Sequence, residues 1–242
     1  MGGTYTIFRK ELADHFSSYR FIILFVMITM ISLITAYMVG GSIRKELEGI
    51  AKPGFVFLML FTSTGALFSL VQFVAFFGPL IGLVLGFDSI NRERNEGTLS
   101  KLVSQPIYRD AVINGKFLAG VVTIAIMLTS IVLMITGLGL RVVGVVPGVE
   151  ELWRIFIYLI LSIVYVSFWL GLSILASILF RSIATSALAA VAVWIFFSFF
   201  VGIGASVIAD SIVPLDSGSD PYAMARHAEI QRGISLVSPM AL

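Results

Sequence analysis

The sequence predicts an all-α integral membrane protein. Of its 242 residues, 58% are hydrophobic and only 12% are charged, whereas a typical soluble domain is about 25% charged. The mean hydropathy is +1.02. Several long stretches carry no charge, and a chain in lipid must satisfy its own backbone hydrogen bonds, as a helix does. We therefore expect a single transmembrane domain over residues 1–242 with about five transmembrane helices.

The charge-free stretches place the elements in order along the chain. We expect an N-terminal interfacial helix over 1–20, span 1 over 21–43, a short outer helix over 53–64, span 2 over 65–90, a cytoplasmic loop over 91–112, span 3 over 113–140, span 4 over 153–180, span 5 over 182–209 and an outer-side tail over 210–242. Tyr5, Phe8 and Leu12 recur at helical spacing, which favours a first helix lying in the membrane interface over a plain lead-in to span 1.

Two features of this layout need a physical reason. The stretch 53–87 would make roughly 52 Å of helix, against about 30 Å of hydrocarbon, so it must divide. Gly65 and the pair Gly78-Pro79 predict where it divides and bends. Spans 4 and 5 are separated only by Arg181, which predicts a helical hairpin with a very tight turn at Phe180-Arg181-Ser182.

Lysine and arginine set the predicted orientation. The loop from Asp88 to Lys116 holds five of them and is the most basic loop, so we place it in the cytoplasm. The N-terminus is then cytoplasmic, the tail lies outside, and the plasma membrane is the expected location.

Composition and motifs exclude several kinds of site. The chain has no cysteine and two histidines, so we expect no metal site, and His227 is expected to be a surface side chain. The net charge of +2 is scattered, which argues against nucleic-acid binding. Gly115-Lys116 is followed by Phe117, so the P-loop pattern fails, and no hydrolase or metalloprotease motif is present. The chain is therefore not expected to be catalytic.

The loop after span 2 is the most informative stretch. Arg92 is spaced to pair with Asp88 and Glu96, which extends the helix of span 2, and Gly97 ends it. Thr98 can cap a short amphipathic helix that stops before Pro106. Its apolar side either packs on the protein's own spans and the lipid or docks on a cytosolic partner; the residues alone favour neither.

A family resemblance bears on this choice. Glu93, Glu96-Gly97-Thr98-Leu99, Leu102, Pro106, Arg109 and Gly115-Lys116 follow one another in the order typical of the loop after the second span in membrane subunits of type-2 ABC exporters. The segment Phe8 to Leu12 is also similar to the opening of these proteins. The resemblance is closest to the branch that contains the nitrous-oxide-reductase maturation and multidrug-type exporters.

The resemblance implies that this loop is a coupling element that docks on a separate ATPase subunit. The implied docking residues are Glu93, Glu96, Gly97, Thr98, Leu99, Leu102, Pro106 and Arg109. The two leucines would fill an apolar groove on the ATPase, the charged residues would pair across its rim, and Gly97 and Pro106 would fix the bends. The ATPase would bind ATP, so this chain needs no cofactor, and the permease would pair with a second copy or a paralogue. Members of this family normally have six spans, so five spans and an outer tail lead us to expect a chain truncated before its last span.

Small and polar residues within the spans allow two interpretations. Gly78, Gly82 and Gly86 recur every four residues beside Pro79; they either pack helices within one subunit or form a wall that slides during transport, with Pro79 as pivot. Gln72 either lines the translocation path or bonds a neighbouring helix.

These observations together favour a transmembrane subunit of an ATP-driven exporter, which forms the substrate path and is coupled through residues 91–112. The substrate stays open. The alternatives are a membrane anchor or assembly factor without transport activity, and a secondary carrier, which the absence of charges within the spans disfavours.

Overall fold

The computed structural model describes residues 2–47, 57–62, 69–98, 109–214, 220–236 and 238, and all regular structure in these residues is helical. The helices are α1 (Gly2–Ser17), α2 (Tyr19–Leu47), α3 (Met59–Thr62), α4 (Leu70–Gly86), α5 (Asn91–Asn95), α6 (Arg109–Val143), α7 (Val149–Leu179), α8 (Ile183–Ile195), a π-helical turn (Phe196–Phe200), α9 (Val201–Ile212) and α10 (Pro221–Ser235). The predicted all-α fold class is confirmed.

Within the described part of the chain, five stretches of helix are long and apolar enough to cross a membrane. They are Tyr19–Lys45, Val71–Asn95, Asp110–Val143, Val149–Leu179 and Ile183–Ile212. The expected number of spans is therefore confirmed. The tight turn between spans 4 and 5 is also present, since α7 ends at Leu179 and α8 begins at Ile183.

The chain divides into two compact units, and the first comprises Met1–Ala187. Its core lies where α4 packs along α7, and Val166, Trp169 and Leu170 of α7 are fully buried there. Helices α2 and α6 complete this core with Val39 and Ile124 among other apolar side chains. Helix α1 packs on α6 at the end of the bundle where spans 1 and 3 begin.

Helix α4 has clear signals at both ends. Ser69 caps its first turn, and the helix continues through the internal Pro79 as far as Gly86. A serine of α7 provides a hydrogen-bond acceptor for backbone amides between α4 and α5. The Ser177 hydroxyl accepts from the amides of Ile90 and Asn91, at 3.1 and 3.2 Å. The two backbone amides at the end of span 2 therefore keep a hydrogen-bond acceptor where the chain leaves the span.

The second unit, Leu188–Leu242, contains the π-helical turn, α9 and α10. Here the prediction of a surface His227 is wrong: the residue is 9% exposed, and its Nε2 lies 2.8 Å from Asp210 Oδ1. The two residues are 17 positions apart on different helices, so no local pattern linked them. Helix α10 lies within the predicted tail.

Candidate functional site

A buried ion-pair cluster joins three helices at the end of the bundle where spans 1 and 3 begin. Lys116 of α6 places its ammonium 2.7 Å from Glu11 Oε1 of α1 and 2.9 Å from Glu93 Oε1 of α5. The Lys116 side chain is only 4% exposed. A buried lysine with two carboxylates is costly to break, because removing one partner leaves charge without compensation. The cluster therefore fixes α1, α5 and α6 relative to one another.

Gly115 explains why α1 can approach α6 so closely. A Cβ atom at this position would lie 2.9 Å from Ile7 Cγ2 and 3.1 Å from the Thr4 carbonyl oxygen. Any larger residue would require the Ile7 side chain to shift and the backbone of α1 to yield by a few tenths of an ångström. The pair Gly115-Lys116 thus has two structural roles: the glycine seats α1, and the lysine binds it through Glu11.

Lys10 lies at the edge of the same cluster. Its ammonium is 3.5 Å from Glu11, 3.8 Å from Glu93 and 3.8 Å from Asp14. Burial lowers the pKa of Lys10, but the charges of Glu11, Glu93 and Asp14 outweigh that effect, so its pKa is raised above the usual value. Lys10 therefore stays charged and offsets the second carboxylate of the cluster.

A second ion pair links spans 1 and 2. Arg20, next to the start of α2, donates through Nη1 to Asp88 Oδ2 at 2.6 Å, and its guanidinium lies 5.7 Å from the centre of the Phe87 ring. Asp88 therefore faces Arg20, whereas the sequence suggested Arg92 as its partner. The other expected pair is confirmed: Arg92 Nε donates to Glu96 Oε1 at 3.1 Å.

These charged groups line a cavity of about 340 Å³. Its walls come from α1, the start of α2, the end of α4, α5 and Lys116 of α6. Apolar side chains close one part of it, namely Phe21, Val84 and Leu85. The cavity is therefore amphipathic and lies where the apolar parts of spans 1 and 2 end.

The first part of the predicted coupling loop follows directly from this cluster. Helix α5 ends at Asn95, and Gly97 takes a φ of +69°, which favours glycine and confirms that it ends the helix. The Thr98 hydroxyl donates to the Glu93 carbonyl at 3.2 Å, which closes the turn. Leu99, Leu102 and Pro106 lie outside the described residues, and Arg109 begins α6.

Glu93 occupies a different environment from the one that the resemblance implied. It was expected at the rim of an ATPase contact, but its side chain is 8% exposed and binds Lys116 inside the subunit. Glu96 is 54% exposed and is the accessible carboxylate of this turn. Docking by these residues stays a prediction, and Glu96 is better placed for it than Glu93.

The glycine row of span 2 lies against α7. A Cβ at Gly78 would meet Val166 Cγ2 at 3.0 Å, and one at Gly86 would meet Ser173 Cβ at 2.8 Å. Gly82 is the tightest point, because its Cβ would lie 2.7 Å from backbone atoms of α7. Close contact of two backbones at small residues is the usual packing mode of membrane helices. The neighbouring Pro79 is fully buried within α4, and its role as a pivot stays a prediction.

Gln72 has a local partner that neither sequence interpretation named. The Gln72 side-chain oxygen Oε1 accepts from the backbone amide of Ser69 at 3.1 Å, and the backbone amide of Gln72 donates to Ser69 Oγ at 3.1 Å. This is a reciprocal capping box at the start of α4. A place for Gln72 on a translocation path stays a prediction.

The other end of the bundle has a buried carboxylate that the sequence analysis missed. Glu151 is 5% exposed. Its Oε1 accepts from the amides of Phe57 and Leu58 at 2.9 and 3.2 Å, and its Oε2 accepts from the Gly148 amide at 2.9 Å. Glu151 therefore caps α7 and also holds the segment before α3, beside the fully buried Leu60. A glutamate three residues after Gly148 is a recognisable sequence signal for the helix cap. No sequence signal indicated that the same carboxylate also binds the amides of Phe57 and Leu58.

The family relationship follows from comparison of the whole chain with known proteins. Residues 5–241 match the family model described as ABC-2 family transporter protein. The chain belongs to this family. The resemblance to type-2 ABC permeases is thus confirmed, and the chain is a multi-pass membrane protein of the permease type.

One curated relative is similar over part of its length. It is the probable ABC transporter permease protein NosY of Pseudomonas aeruginosa, 30% identical over 146 residues, which are 60% of this chain and 48% of the relative. The match thus spans about half the length of that relative.

Proposed function

We propose that this chain is the transmembrane subunit of an ATP-driven exporter, located in the plasma membrane with its N-terminus in the cytoplasm. It forms the substrate path together with a second copy or a paralogue, and a separate ATPase subunit supplies the energy. Membership in the ABC-2 family across residues 5–241 is the observation that carries this proposal.

The coupling route begins at the loop that follows α5. The ATPase pushes on residues around Thr98 and Leu99, with Leu102 as a second apolar contact, while Glu96 and Arg109 pair at the rim and Pro106 fixes the bend. Electrostatic pairs of this kind contribute specificity more than affinity.

The buried cluster is the means by which movement of the loop reaches the spans. Glu93 lies five residues before Thr98 and binds Lys116 of span 3, which also binds Glu11 of α1. Asp88 binds Arg20 at the start of span 1. A displacement of α5 therefore moves spans 1 and 3 through direct ion pairs, and the effect does not depend on the loops that connect these helices.

The remainder of span 2 then moves with α7. The contact at Gly82 leaves no space between the two helices, and the Ser173 hydroxyl donates to the Leu83 carbonyl at 2.9 Å. Because α4 and α7 are packed backbone to backbone, they shift as one body. Spans 1 and 3 are linked to this movement through the ion pairs of Arg20 and Lys116.

Co-purification tests the docking step. Leu99→Asp is expected to abolish recovery of the ATPase with the tagged chain, because a charge cannot enter an apolar groove without a large desolvation cost. Leu236→Asp is the matched control, since Leu236 is 55% exposed and lies after α10; it should leave recovery unchanged. Both variants are first checked for membrane insertion, and undiminished recovery with Leu99→Asp contradicts the docking assignment.

A further inference from the structure

A fully buried asparagine joins α5 to the turn between spans 4 and 5. Asn91, the first residue of α5, is 0% exposed. Its Nδ2 donates to the Ser182 carbonyl at 3.4 Å, and its Oδ1 accepts from Arg94 Nη1 at 3.2 Å. The same Arg94 nitrogen donates to the Phe180 carbonyl at 3.5 Å. The Asn91 side chain is therefore bonded to the turn both directly and through Arg94.

The chemistry of an amide matches both partners of this side chain. An asparagine offers an N–H donor and a C=O acceptor on one short side chain. Its donor faces a carbonyl oxygen and its acceptor faces a guanidinium, so the reverse orientation would bring like groups together on both sides. Aspartate has nearly the same size, but next to Arg94 it would stay ionised and would have no donor for Ser182. The site therefore requires an amide, whereas filling the space alone would not.

Further buried hydrogen bonds link the same two segments. The Ser186 hydroxyl, in the first turn of span 5, donates to the Phe87 carbonyl at 2.8 Å. The Ser177 hydroxyl near the end of span 4 accepts from the amides of Ile90 and Asn91. Both serines are 0% exposed. The end of span 2 and the turn between spans 4 and 5 are thus held together by directional bonds in addition to apolar packing.

Helix α5 therefore has buried polar partners in two other parts of the bundle. Glu93, two residues after Asn91, binds Lys116 at the start of span 3, and Asn91 binds the turn at Ser182. A helix of five residues has little internal freedom, so both connections must follow when it is displaced. The ion pairs lead to spans 1 and 3, and the Asn91 amide leads to spans 4 and 5.

We propose that Asn91 is a positioning residue for transport, which transmits movement of α5 to the turn between spans 4 and 5. The start of span 5 then moves together with the start of span 3. The inference rests on the proposed function, because it requires an ATPase that displaces the loop. It goes further by assigning a second connection, separate from the ion-pair cluster, to one buried amide. Loss of the Asn91 donor should disconnect the turn and leave the Glu93 connection in place.

Two single-cysteine reporters in this cysteine-free chain distinguish the two connections. Ala184→Cys reports on the start of span 5, Asn114→Cys reports on the start of span 3, and both positions are exposed. The complex with the ATPase is purified, and the rate at which each cysteine reacts with a soluble maleimide is measured without nucleotide and with ATP and vanadate. We expect nucleotide trapping to change the rate at both positions in the otherwise unaltered chain.

Asn91→Asp removes the donor to Ser182 at nearly constant size. We expect the rate change at Ala184→Cys to fall about fivefold, the factor that one hydrogen bond contributes to an equilibrium, while the change at Asn114→Cys persists. Asn95→Asp is the matched control, since it is the same substitution at an exposed position of the same helix, and both rate changes should persist. An undiminished change at Ala184→Cys in Asn91→Asp would overturn the inference. Equal losses at both reporters would also overturn it, because they indicate a general disturbance.

A second variant decides the question if Asn91→Asp does not insert into the membrane. Arg94→Met removes the donor that Asn91 and the Phe180 carbonyl share, at a half-buried position. It should also diminish the rate change at Ala184→Cys, and an undiminished change would overturn the inference.

Failure of the proposed function gives a different result. If no ATPase is recovered with the unaltered chain, or if neither reporter responds to nucleotide in the complex, the proposed function is overturned and the inference with it. If the complex forms and both reporters respond in Asn91→Asp as they do in the unaltered chain, the inference alone is overturned.

Discussion

The contact between α4 and α7 at Gly82 permits a quantitative prediction. A Cβ atom at Gly82 would lie 2.7 Å from both Leu170 N and Val166 O. Ordinary contacts begin at 3.4 Å, so Gly82→Ala forces the two helices apart by about 0.7 Å. Both obstructing atoms belong to the backbone, so no side chain can rotate to relieve the contact.

The expected cost follows from two sources. Overpacking by one methyl group in a tight core costs about 1–3 kcal/mol. The separation also stretches two hydrogen bonds between the helices, from Tyr165 to Ala75 and from Ser173 to Leu83, and such bonds contribute about 0.6 kcal/mol each in a membrane protein. We expect Gly82→Ala to lower the free energy of unfolding by about 2–4 kcal/mol.

Thermal unfolding in detergent measures this effect. For a chain of this length the loss corresponds to a decrease in Tm of about 5–15 °C. Gly137→Ala is the matched control: it is also a glycine-to-alanine change within a span, and a Cβ there would meet nothing within 4 Å among the described residues. Its Tm should stay the same or rise. Equal Tm values for the two variants would refute the packing argument.

Three further predictions address the charged groups. Lys116→Met should lower the free energy of unfolding by about 3–5 kcal/mol, because it leaves Glu11 and the buried Glu93 with only the largely exposed Lys10, at 3.5 and 3.8 Å; Lys45→Met at an exposed site should have little effect, and similar losses would contradict the cluster's role. Glu151→Ala releases the segment before α3, so a single cysteine at Leu60 in this cysteine-free chain should become reactive to a maleimide; continued protection would argue against the carboxylate as its anchor. Burial lowers the pKa of His15 below its usual 6.5, and Lys116 adds to this effect while Glu11, Asp88 and Asp14 oppose it. The unfolded chain therefore binds a proton that the folded chain resists, so Tm should fall as pH decreases through 6.5, and His15→Gln should reduce that slope; an unchanged slope would contradict the assignment.

The spans could be predicted from sequence because every backbone N–H and C=O group within the hydrocarbon core of a membrane must be hydrogen-bonded inside the protein. Charge-free stretches of about 20 residues or more must be helices there. Local signals were equally readable: the Arg92–Glu96 pair lies one helical turn apart, and Gly97 ends the helix with a positive φ.

The buried cluster could not be predicted in the same way, because its partners are far apart in the chain. Glu11 and Lys116 are separated by 105 residues, and no periodicity connects them. One signal was available: Lys116 lies near the start of span 3, just before a long charge-free stretch, and a lysine there needs a partner. The sequence contains the carboxylates that fit it, but only the packing of α1 on α6 identifies which ones.

The burial of individual polar residues also could not be predicted from the sequence. His227 was expected at the surface because its type usually lies there, and Glu151 was not singled out at all. Both are buried because a partner on another element satisfies them, Asp210 in one case and the amides of Phe57 and Leu58 in the other. Such partners depend on tertiary contacts that a single sequence does not specify.

The central claim is that this chain works with a separate ATPase. The most direct measurement is a purification of the tagged chain from its native membrane in mild detergent, followed by an assay of ATP hydrolysis in the eluate. The account predicts that an ATPase of about 200–300 residues is recovered with the chain and that its activity is inhibited by vanadate. Recovery of a well-folded chain alone, with no hydrolysis above that of an untagged membrane, would contradict it.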